Sequence, residues 1–458
     1  MTETQVMDDH TRELLFGIKH KYFKFEPTLD EIIDDFIEKP ITNLDEINAR
    51  LDTIQELVDN EDLRQKLETA LQIFSIQPND LCEQIYQAKN VLNYPPFREE
   101  AATKLKNIIG YWADLYEKLP DVNESDFKSK RLKNLASEYS ALKNNTSRIS
   151  VTGYLKYISN INKKINKLEV KSETKDYNGN PIIDLSELLS LLNVKYIEQF
   201  SEIIPESLEQ KFASMQVYLF LSNEAIEKGY SKPLVVPKEN NCLIIKNGKY
   251  DIAPDKTIIP NNTYLSDNKP IEVLEGVNDG GKTFDMKKAL YIAVRALAGC
   301  YVPAKYAKVS VRDKIILKQK GVGDAISAFQ QDCQSVIETT PKRNEYWLIG
   351  MDEAFTSTER KGGEALVYGY ITNISNQKTS LLILSSHYAN LSNAFKDIPR
   401  VEFNHFPFET KNNEIHFPHK KEQGPMHNYS YAIAVAKSRK FDGKIVKYAQ
   451  ERLQQRGF

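Results

Sequence analysis

An eight-residue run of the sequence has the composition of a phosphate-binding loop. Gly276-Val277-Asn278-Asp279-Gly280-Gly281-Lys282-Thr283 fits the pattern G-x-x-x-x-G-K-[ST] at every fixed position. An apolar, strand-like segment precedes this run and a helix-like segment follows it, so backbone N–H groups and a helix N-terminus would face a bound phosphate. We therefore expect Lys282 to contact the outer phosphates of a nucleotide and the Thr283 hydroxyl to bind Mg²⁺.

A second set of chemically capable residues follows two apolar, strand-like segments. The segment 346–351 is followed by Asp352 and Glu353. Asp352 is expected to hold the water shell of Mg²⁺, and Glu353 to polarise the attacking water. The segment 380–386 is followed by His387, which has the position of a γ-phosphate sensor; a purely structural histidine at a strand end is the alternative. Together with the glycine-rich run, these residues predict an ATPase that uses ATP and Mg²⁺.

The overall composition is that of a soluble, globular protein. The chain has 458 residues, a formal net charge of −2, 41% hydrophobic and 27% charged residues, so it is not a polycation built to coat nucleic acid. No apolar stretch is long enough to span a bilayer, and the N-terminus lacks the features of a secretory signal. The four cysteines, Cys82, Cys242, Cys300 and Cys333, form no C-x-x-C pair. We expect a cytoplasmic protein with reduced thiols and no membrane partner.

The pattern of apolar residues changes near residue 230. Before that point Leu44, Ile47 and Leu51 exemplify the three- and four-residue spacing of amphipathic helices, and Asn43 or Thr42 is a candidate cap for that helix. After residue 234, clusters of β-branched residues and turn residues predict short strands. The sequence thus predicts a helical domain over 1–230 and an α/β ATPase domain over 231–458, joined by a linker at 228–233. The expected fold class is α + α/β.

These motifs resemble those of the MutS family of ABC-type ATPases. The glycine-rich run is similar to that family's G-P-N-M-G-G-K-[ST], including Asn278 and the double glycine, and Met351-Asp352-Glu353 and Ser386-His387-Tyr388 are similar to its M-D-E and T-H-Y. The resemblance is strong from about residue 245 to 453 and weaker from about 25 to 75. It implies a helical core or lever-like domain followed by an ABC-type P-loop ATPase domain.

The resemblance also implies further site residues and a dimer. Asn261, in a segment similar to the strand and loop near the adenine, and His419, in a segment similar to the family's F-x-H, are implied to hold the base. Two ATPase domains would pack head to tail as a homodimer. Ser327, in a segment similar to the family's S-T-F, would contact the γ-phosphate of the partner, with Asp332 where the family has Glu. A plain helix N-cap is the alternative for Ser327.

The sequence also departs from the family pattern. The family's F-x-E wedge cannot be located, and we expect neither a mismatch-reading domain and connector upstream of residue 25 nor a nuclease domain after residue 458. The segment 354–359 replaces the family's G-R-G-T-S-T loop. We therefore expect a truncated MutS-like protein that does not recognise mismatches in the standard way.

One segment carries a strong local charge bias. Residues 126–175 contain twelve Lys and Arg but four Asp and Glu. A basic helical arm of this kind can neutralise DNA phosphates without reading bases; a solvated helix face is the alternative. The favoured function is an ATP-driven switch of helical arms that hold DNA, including branched or unusual forms. The alternatives are an ATPase that acts on a protein or a ribosome, and a nucleotide-dependent structural dimer.

Overall fold

A computed structural model describes residues 6–7, 9–16, 36–71, 78–92, 94–144, 151–171, 184–193, 197, 206–252, 258–319, 325–388, 391–411, 414–426, 431–439 and 441–455. The helices named below are α1 (Asp9–Phe16), α2 (Leu44–Asp59), α3 (Glu61–Leu71), α4 (Pro78–Val91), α5 (Pro95–Lys118), α6 (Lys130–Asn144), α7 (Val151–Lys171), α8 (Leu185–Ser190), α9 (Glu206–Lys228), α10 (Lys282–Leu297), α11 (Ala325–Glu338), α12 (Arg360–Asn376), α13 (Leu391–Ala394), α14 (Tyr431–Ser438) and α15 (Gly443–Gln455).

The described strands lie in the second half of the chain. They are β1 (Leu234–Val236), β2 (Leu243–Gly248), β3 (Asn261–Leu265), β4 (Ile271–Gly276), β5 (Tyr306–Ser310), β6 (Lys314–Lys318), β7 (Trp347–Met351), β8 (Leu381–Ser386), β9 (Val401–Phe406), β10 (Glu409–Lys411), β11 (Glu414–His416) and β12 (Glu422–Gln423). They form a six-stranded sheet ordered β12-β9-β4-β8-β7-β6, a four-stranded sheet ordered β1-β5-β2-β3 and the hairpin β10-β11. The expected combination of helices with an α/β part is present.

The chain folds as two compact units whose limits differ from the expected boundary at residue 230. One unit comprises residues 1–51 and 224–458, and the other comprises 52–223. The described N-terminal residues join the first unit through backbone contacts to the edge strand β6. The N–H of Ile315 donates to the carbonyl of Val6 at 2.7 Å, and the N–H of Leu317 donates to Thr11 Oγ1 at 2.9 Å. This contact pairs backbone groups at the edge of the sheet. The helical periodicity of the N-terminal sequence did not indicate it.

The helical unit is held together by an apolar core between α4, α5, α7 and α8. Helix α7 contributes a stripe at three- and four-residue spacing in which Tyr154, Ile158, Ile161 and Ile165 are buried. This spacing is what places one face of a helix against its neighbours. The expected cap at the start of α2 is Asn43, whose Oδ1 accepts from the N–H of Glu46 at 3.1 Å.

The six-stranded sheet sets the position of the candidate site. Strands β9, β4, β8, β7 and β6 run parallel, and every residue of β4 and of β8 is buried. Parallel strands covered on both faces are usually apolar throughout. Strand β8 begins with such a run at 381–384, whereas β4 also carries the buried Glu272 and Glu275. Ligands bind at the carboxyl edge of such sheets, and at this edge the chain presents the ends of β4, β7 and β8. None of the described helices is long and apolar enough to cross a membrane.

Candidate nucleotide site

The glycine-rich loop follows β4 and is packed tightly against Phe406 of β9. Gly276 and Gly281 have φ of +147° and +117°, a region that side chains rarely adopt. A Cβ on Gly276 would lie 3.2 Å from the Phe406 carbonyl oxygen, and one on Gly281 would lie 3.4 Å from the Phe406 ring. Positive φ therefore favours glycine at both positions, and the close Phe406 carbonyl leaves little space for a side chain at Gly276. Phe406 was not predicted as a site residue, because nothing in its local sequence marks a contact with a distant loop.

Lys282 opens helix α10 and turns its ammonium over the loop. The side chain is 4% exposed, and Nζ donates to the carbonyl oxygens of Gly276 at 2.8 Å and Val277 at 3.0 Å. The Nζ atom also lies 3.9 Å from Oε1 of Glu353. The cation thus sits between the loop that would hold phosphates and the carboxylate proposed to activate water.

The predicted metal-binding pair is brought together at the ends of β4 and β7. Thr283 Oγ1 donates to Asp352, with distances of 3.0 Å to Oδ1 and 2.9 Å to Oδ2. A hydroxyl and a carboxylate are hard oxygen donors, and Mg²⁺ uses one or two such protein groups together with phosphate and water oxygens. The residues present therefore fit Mg²⁺, which would supply electrostatic stabilisation of the phosphoryl oxygens when bound.

Ser385, near the end of β8, joins the two acidic residues and was not identified from the sequence. Its hydroxyl donates to Asp352 Oδ1 at 2.6 Å and accepts from the N–H of Glu353 at 2.9 Å. The side chain is buried, so this bridge fixes both acids against the strand. The available signal was the pair of serines, Ser385 and Ser386, that ends this apolar strand directly before His387.

Glu353 and His387 form the part of the site suited to face an attacking water. Glu353 has φ of +53°, an uncommon conformation for a residue with a side chain, and such strain concentrates at functional sites. Its Oε1 lies 2.5 Å from His387 Nε2. The carboxylate is therefore aligned by a histidine and by a backbone bond to Ser385, an arrangement suited to a general base.

A cavity of 810 Å³ extends from the glycine-rich loop and is lined by Asn261, Asn278, Phe417 and His419 together with the loop residues. Cavities of this size hold nucleotide-sized ligands. Asn261 Nδ2 donates to the His419 carbonyl at 2.9 Å, and His419 Nδ1 lies 3.1 Å from the Gly280 carbonyl oxygen. The structure thus brings the base-side residues and the phosphate-side residues to one cavity, although their individual roles stay predictions.

Ser327, the residue predicted to act across the dimer, is described only through its backbone on α11. It is the third residue of α11, inside the helix, so the alternative of an N-cap does not hold. Its side chain lies outside the described part of the chain, and its contact with a partner's nucleotide stays a prediction. Asp332 on the same helix is buried and accepts from Ser357 Oγ at 3.2 Å, which ties α11 to the segment after Glu353.

The chain is similar to known proteins of one family. Residues 272–456 match the family model for MutS domain V. The DNA mismatch repair protein MutS of Carboxydothermus hydrogenoformans is 25% identical over 501 aligned positions, which cover 91% of this chain and 58% of that protein. The chain therefore spans 58% of the length of this relative. The domain V match includes all of β4 except its first residue, the glycine-rich loop, Asp352, Glu353, His387 and His419.

Proposed function

Because the chain belongs to the MutS family, we propose that it binds Mg-ATP in the cavity described above and hydrolyses it. The observation that carries this proposal is the contact of Thr283 Oγ1 with both carboxylate oxygens of Asp352 at 2.9 and 3.0 Å. Two residues far apart in the sequence meet beside a glycine-rich loop and a buried lysine. A phosphate-binding loop and a metal-binding acid are the two halves of a P-loop nucleotide site.

In the proposed reaction each group of the chain has a distinct task. Backbone N–H groups of the loop and Lys282 bind and orient the outer phosphates, while Thr283 and Asp352 hold Mg²⁺. Glu353 accepts a proton from the attacking water, and His387, 2.5 Å from its carboxylate, orients that carboxylate and senses the γ-phosphate. Positioning and charge stabilisation dominate phosphoryl transfer, so the rigidity of these contacts matters more than any covalent step.

We further propose that the active form is a head-to-tail homodimer whose helical arms hold DNA. In this arrangement Ser327 of α11 completes the nucleotide site of the partner. The order of a lever-like helical domain before an ATPase domain belongs to this proposal. The relative described above carries DNA mismatch repair in its name; here the proposed ligand is DNA recognised by shape, including branched or unusual forms.

The support for DNA comes from the exposed face of α7. The helix buries its apolar stripe in the core of its unit, and Lys156, Lys163, Lys164 and Lys167 are exposed on the opposite face. Lys163 is partly neutralised, since its Nζ lies 3.4 Å from Glu117 Oε1, but both side chains are more than half exposed, so this pair is weak. Of the remaining basic residues in 126–175, Arg148 and Lys175 lie outside the described residues.

Nucleotide binding is tested by thermal unfolding with and without Mg-ATP. A ligand that binds only the folded chain raises its unfolding temperature, so the wild-type protein should be stabilised and Lys282→Ala should not be. Omitting Mg²⁺ should weaken the shift for the wild type. A wild-type chain that gains no stability from Mg-ATP, at concentrations at which other P-loop ATPases are saturated, contradicts the proposed site.

DNA binding is tested by reversing two charges on the α7 face. The Lys164→Glu/Lys167→Glu variant should bind labelled duplex or branched DNA more weakly, and to a similar extent for every sequence, because phosphate contacts carry no sequence information. The slope of log affinity against log salt should fall by about 0.9 for each phosphate that the variant no longer neutralises. Lys104→Glu/Lys118→Glu is the matched control, because these α5 lysines are also exposed and each lies beside a carboxylate.

The two alternatives make different predictions in the same experiments. If the α7 variant and the wild type bind DNA equally at all salt concentrations, the face is only solvated and a protein or ribosome partner becomes the better proposal. If ATP stabilises the chain but no turnover is measurable, the nucleotide serves a structural dimer instead.

A further inference from the structure

Four charged side chains are enclosed at the base-side end of the nucleotide cavity. Glu272, Asp285 and Lys288 are 3% exposed and Lys421 is 7% exposed. We call these residues the charge quartet. Two ammonium groups balance two carboxylates, so the quartet is neutral as a whole. Asp285 and Lys288 also line the cavity itself.

Short contacts connect the four groups into one network. Lys421 Nζ donates to Glu272 Oε1 at 2.5 Å and to Asp285 Oδ2 at 2.7 Å. Lys288 Nζ donates to Asp285 Oδ1 at 2.5 Å. Although burial opposes ionisation of Asp285, the two ammonium groups keep the pKa of its carboxyl below the usual range. Each charge is thus paired at hydrogen-bonding distance, as buried charges must be.

The quartet joins three separate segments of the chain. Glu272 is on β4, which leads into the glycine-rich loop; Asp285 and Lys288 are on α10, which begins at Lys282. Lys421 lies two residues after His419, in the segment that carries the predicted base-stacking residues. Through Lys421, the base-side segment is therefore bonded both to the strand and to the helix that flank the phosphate-binding loop.

Asn261, the other base-side residue, is hydrogen-bonded to the segment that carries Lys421. The N–H of Lys421 donates to Asn261 Oδ1 at 2.9 Å, and Asn261 Nδ2 donates to the His419 carbonyl at 2.9 Å. Lys288 Nζ donates to Thr263 Oγ1 at 3.1 Å on the same strand, β3. Asn261 is thus bonded to the backbone of the segment 419–421, which the Lys421 side chain holds to β4 and α10, while Lys288 contacts strand β3 itself.

A buried network of ion pairs is not expected to add much to the free energy of folding. Replacing buried ion pairs by apolar residues of similar volume is often neutral or stabilising, because desolvation offsets the attraction between the charges. The hydrogen bonds of the quartet instead fix three segments in one relative position. These segments form the base-side wall of the cavity, which is the part lined by Asn261 and His419.

We propose that Lys421, through the charge quartet, is a positioning residue that sets the base-side wall of the nucleotide cavity. This inference rests on the proposed nucleotide site and deepens it. Affinity for the nucleoside part of ATP depends on the quartet, whereas phosphate binding and the chemical step at Glu353 do not. Preorganised walls increase affinity because the ligand does not have to order them.

The test compares Mg-ATP with Mg-tripolyphosphate, a ligand that has phosphates but no base. Lys421→Met keeps the length of the side chain and removes its charge. Calorimetry should show ATP affinity reduced by about tenfold, the scale expected when the groups that hold the base are no longer preorganised. Tripolyphosphate affinity should be unchanged. The KM for ATP should rise while kcat at saturating ATP stays within about twofold of wild type, as expected for binding that is equal in the ground and transition states.

Two further variants keep the test decisive. Lys421→Met/Glu272→Gln removes one charge of each sign and leaves the Asp285–Lys288 pair, so we expect it to fold even if the single variant does not. It should show the same loss of ATP affinity with tripolyphosphate binding retained. Lys238→Met is the control, because it breaks a part-buried lysine–carboxylate contact of 3.1 Å to Asp313, a residue outside the cavity lining. Its affinities should match wild type.

The outcomes separate this inference from the proposed function. If the Lys421 variants lose affinity for ATP and tripolyphosphate equally, or lose neither, the quartet has no specific role in positioning the base-side wall. If wild-type protein binds neither ligand, the nucleotide site itself is wrong, and that result is recognised before any variant is compared.

Discussion

At the scale of single residues, the proposed hydrolytic step depends on how Glu353 is held. Its backbone N–H is bonded to Ser385, and its carboxylate lies beside both His387 and Lys282. The sequence indicated Glu353 and His387 as members of one site, but the distance between them follows from the pairing of β7 with β8. In the proposed site the loop and Lys282 bind the phosphates, whereas the Glu353 carboxylate acts on the attacking water, so binding and turnover should be separable.

Glu353→Gln should keep ATP affinity and lose turnover. The amide retains the shape of the side chain but cannot accept the proton of water, and a general base contributes about 10²- to 10⁴-fold to rate. Steady-state phosphate release and equilibrium ATP binding measure the two properties separately. Glu409→Gln, on the exposed β10-β11 hairpin, is the control. Normal turnover in Glu353→Gln would assign the base to another group, with His387 the first candidate.

Glu275, the residue before Gly276, should make stability depend on pH. Burial raises the pKa of its carboxyl to about 7, although Oε2 accepts from the N–H of Met426 at 2.7 Å. Between the ordinary pKa of 4.5 and about 7 the folded chain binds more protons than the unfolded chain, so this group stabilises the fold at low pH. Its contribution is lost as pH rises through about 7.

Glu275→Gln should remove this dependence. The amide oxygen can still accept from Met426, and no charge has to be buried at high pH. The variant should therefore be more stable than wild type at pH 8, by up to about 3 kcal/mol, and the difference should shrink towards pH 5. Denaturant unfolding at several pH values measures this. The exposed Glu239→Gln should show no such trend; an equal trend in both variants would contradict the assignment.

At the scale of elements, two glycines differ in whether the local structure tolerates a side chain: one lies in the glycine-rich loop and the other in helix α5. Gly281 has φ of +117° and contacts Phe406 and His419 closely, whereas Gly110 lies within α5 with no atom within 4 Å of its would-be Cβ. The effect of replacing Gly281 is decided by the backbone conformation that the loop imposes. The effect of replacing Gly110 is decided by helix propensity alone.

Gly281→Ala and Gly110→Ala should consequently change stability in opposite directions. Gly281→Ala should destabilise the chain by more than about 1 kcal/mol, since alanine is strained at positive φ. Gly110→Ala should stabilise it by about 0.5–1 kcal/mol, because glycine costs backbone entropy in a helix. Urea unfolding midpoints give both values, and ATP affinity should fall only for Gly281→Ala. Unchanged stability of Gly281→Ala would mean that the loop is not rigidly packed.

Helices and strands could be predicted where the spacing of apolar residues along the chain was regular. The buried stripe of α7, the cap at Asn43 and the start of strands after residue 230 all follow from spacing along the chain. The contact of the N-terminal segment with β6 was not predicted. Its reason is an exposed sheet edge far away in sequence, and such pairing leaves no periodic signal.

At the scale of the whole molecule, the proposed dimer predicts complementation between inactive chains. Lys282→Ala lacks the phosphate-binding cation, and Ser327→Arg blocks the residue expected to act in the partner's site. Each should be inactive alone. A mixture should regain activity, because the mixed dimer has one site with both residues intact. With random pairing and independent sites, an equimolar mixture should reach about a quarter of wild-type activity, the value expected for a two-fold dimer.

The control for this experiment is Gln334→Arg on the same helix, an exposed position that should remain active alone. Light scattering with and without ATP reports whether the chain dimerises. Failure of the mixture to regain activity, with a chain that stays monomeric in ATP, would contradict the head-to-tail arrangement.

The residues of the candidate site could be predicted from local sequence. The glycine-rich run, Asp352, Glu353 and His387 are each recognisable because the chemistry depends on residue type and on position relative to a neighbouring strand, and both are local properties. Tertiary structure decided how these groups are held. Ser385 between the two acids, Phe406 against the loop and the charge quartet arise where parallel strands and crossing segments meet, and only the fold brings such distant residues within hydrogen-bonding or packing distance.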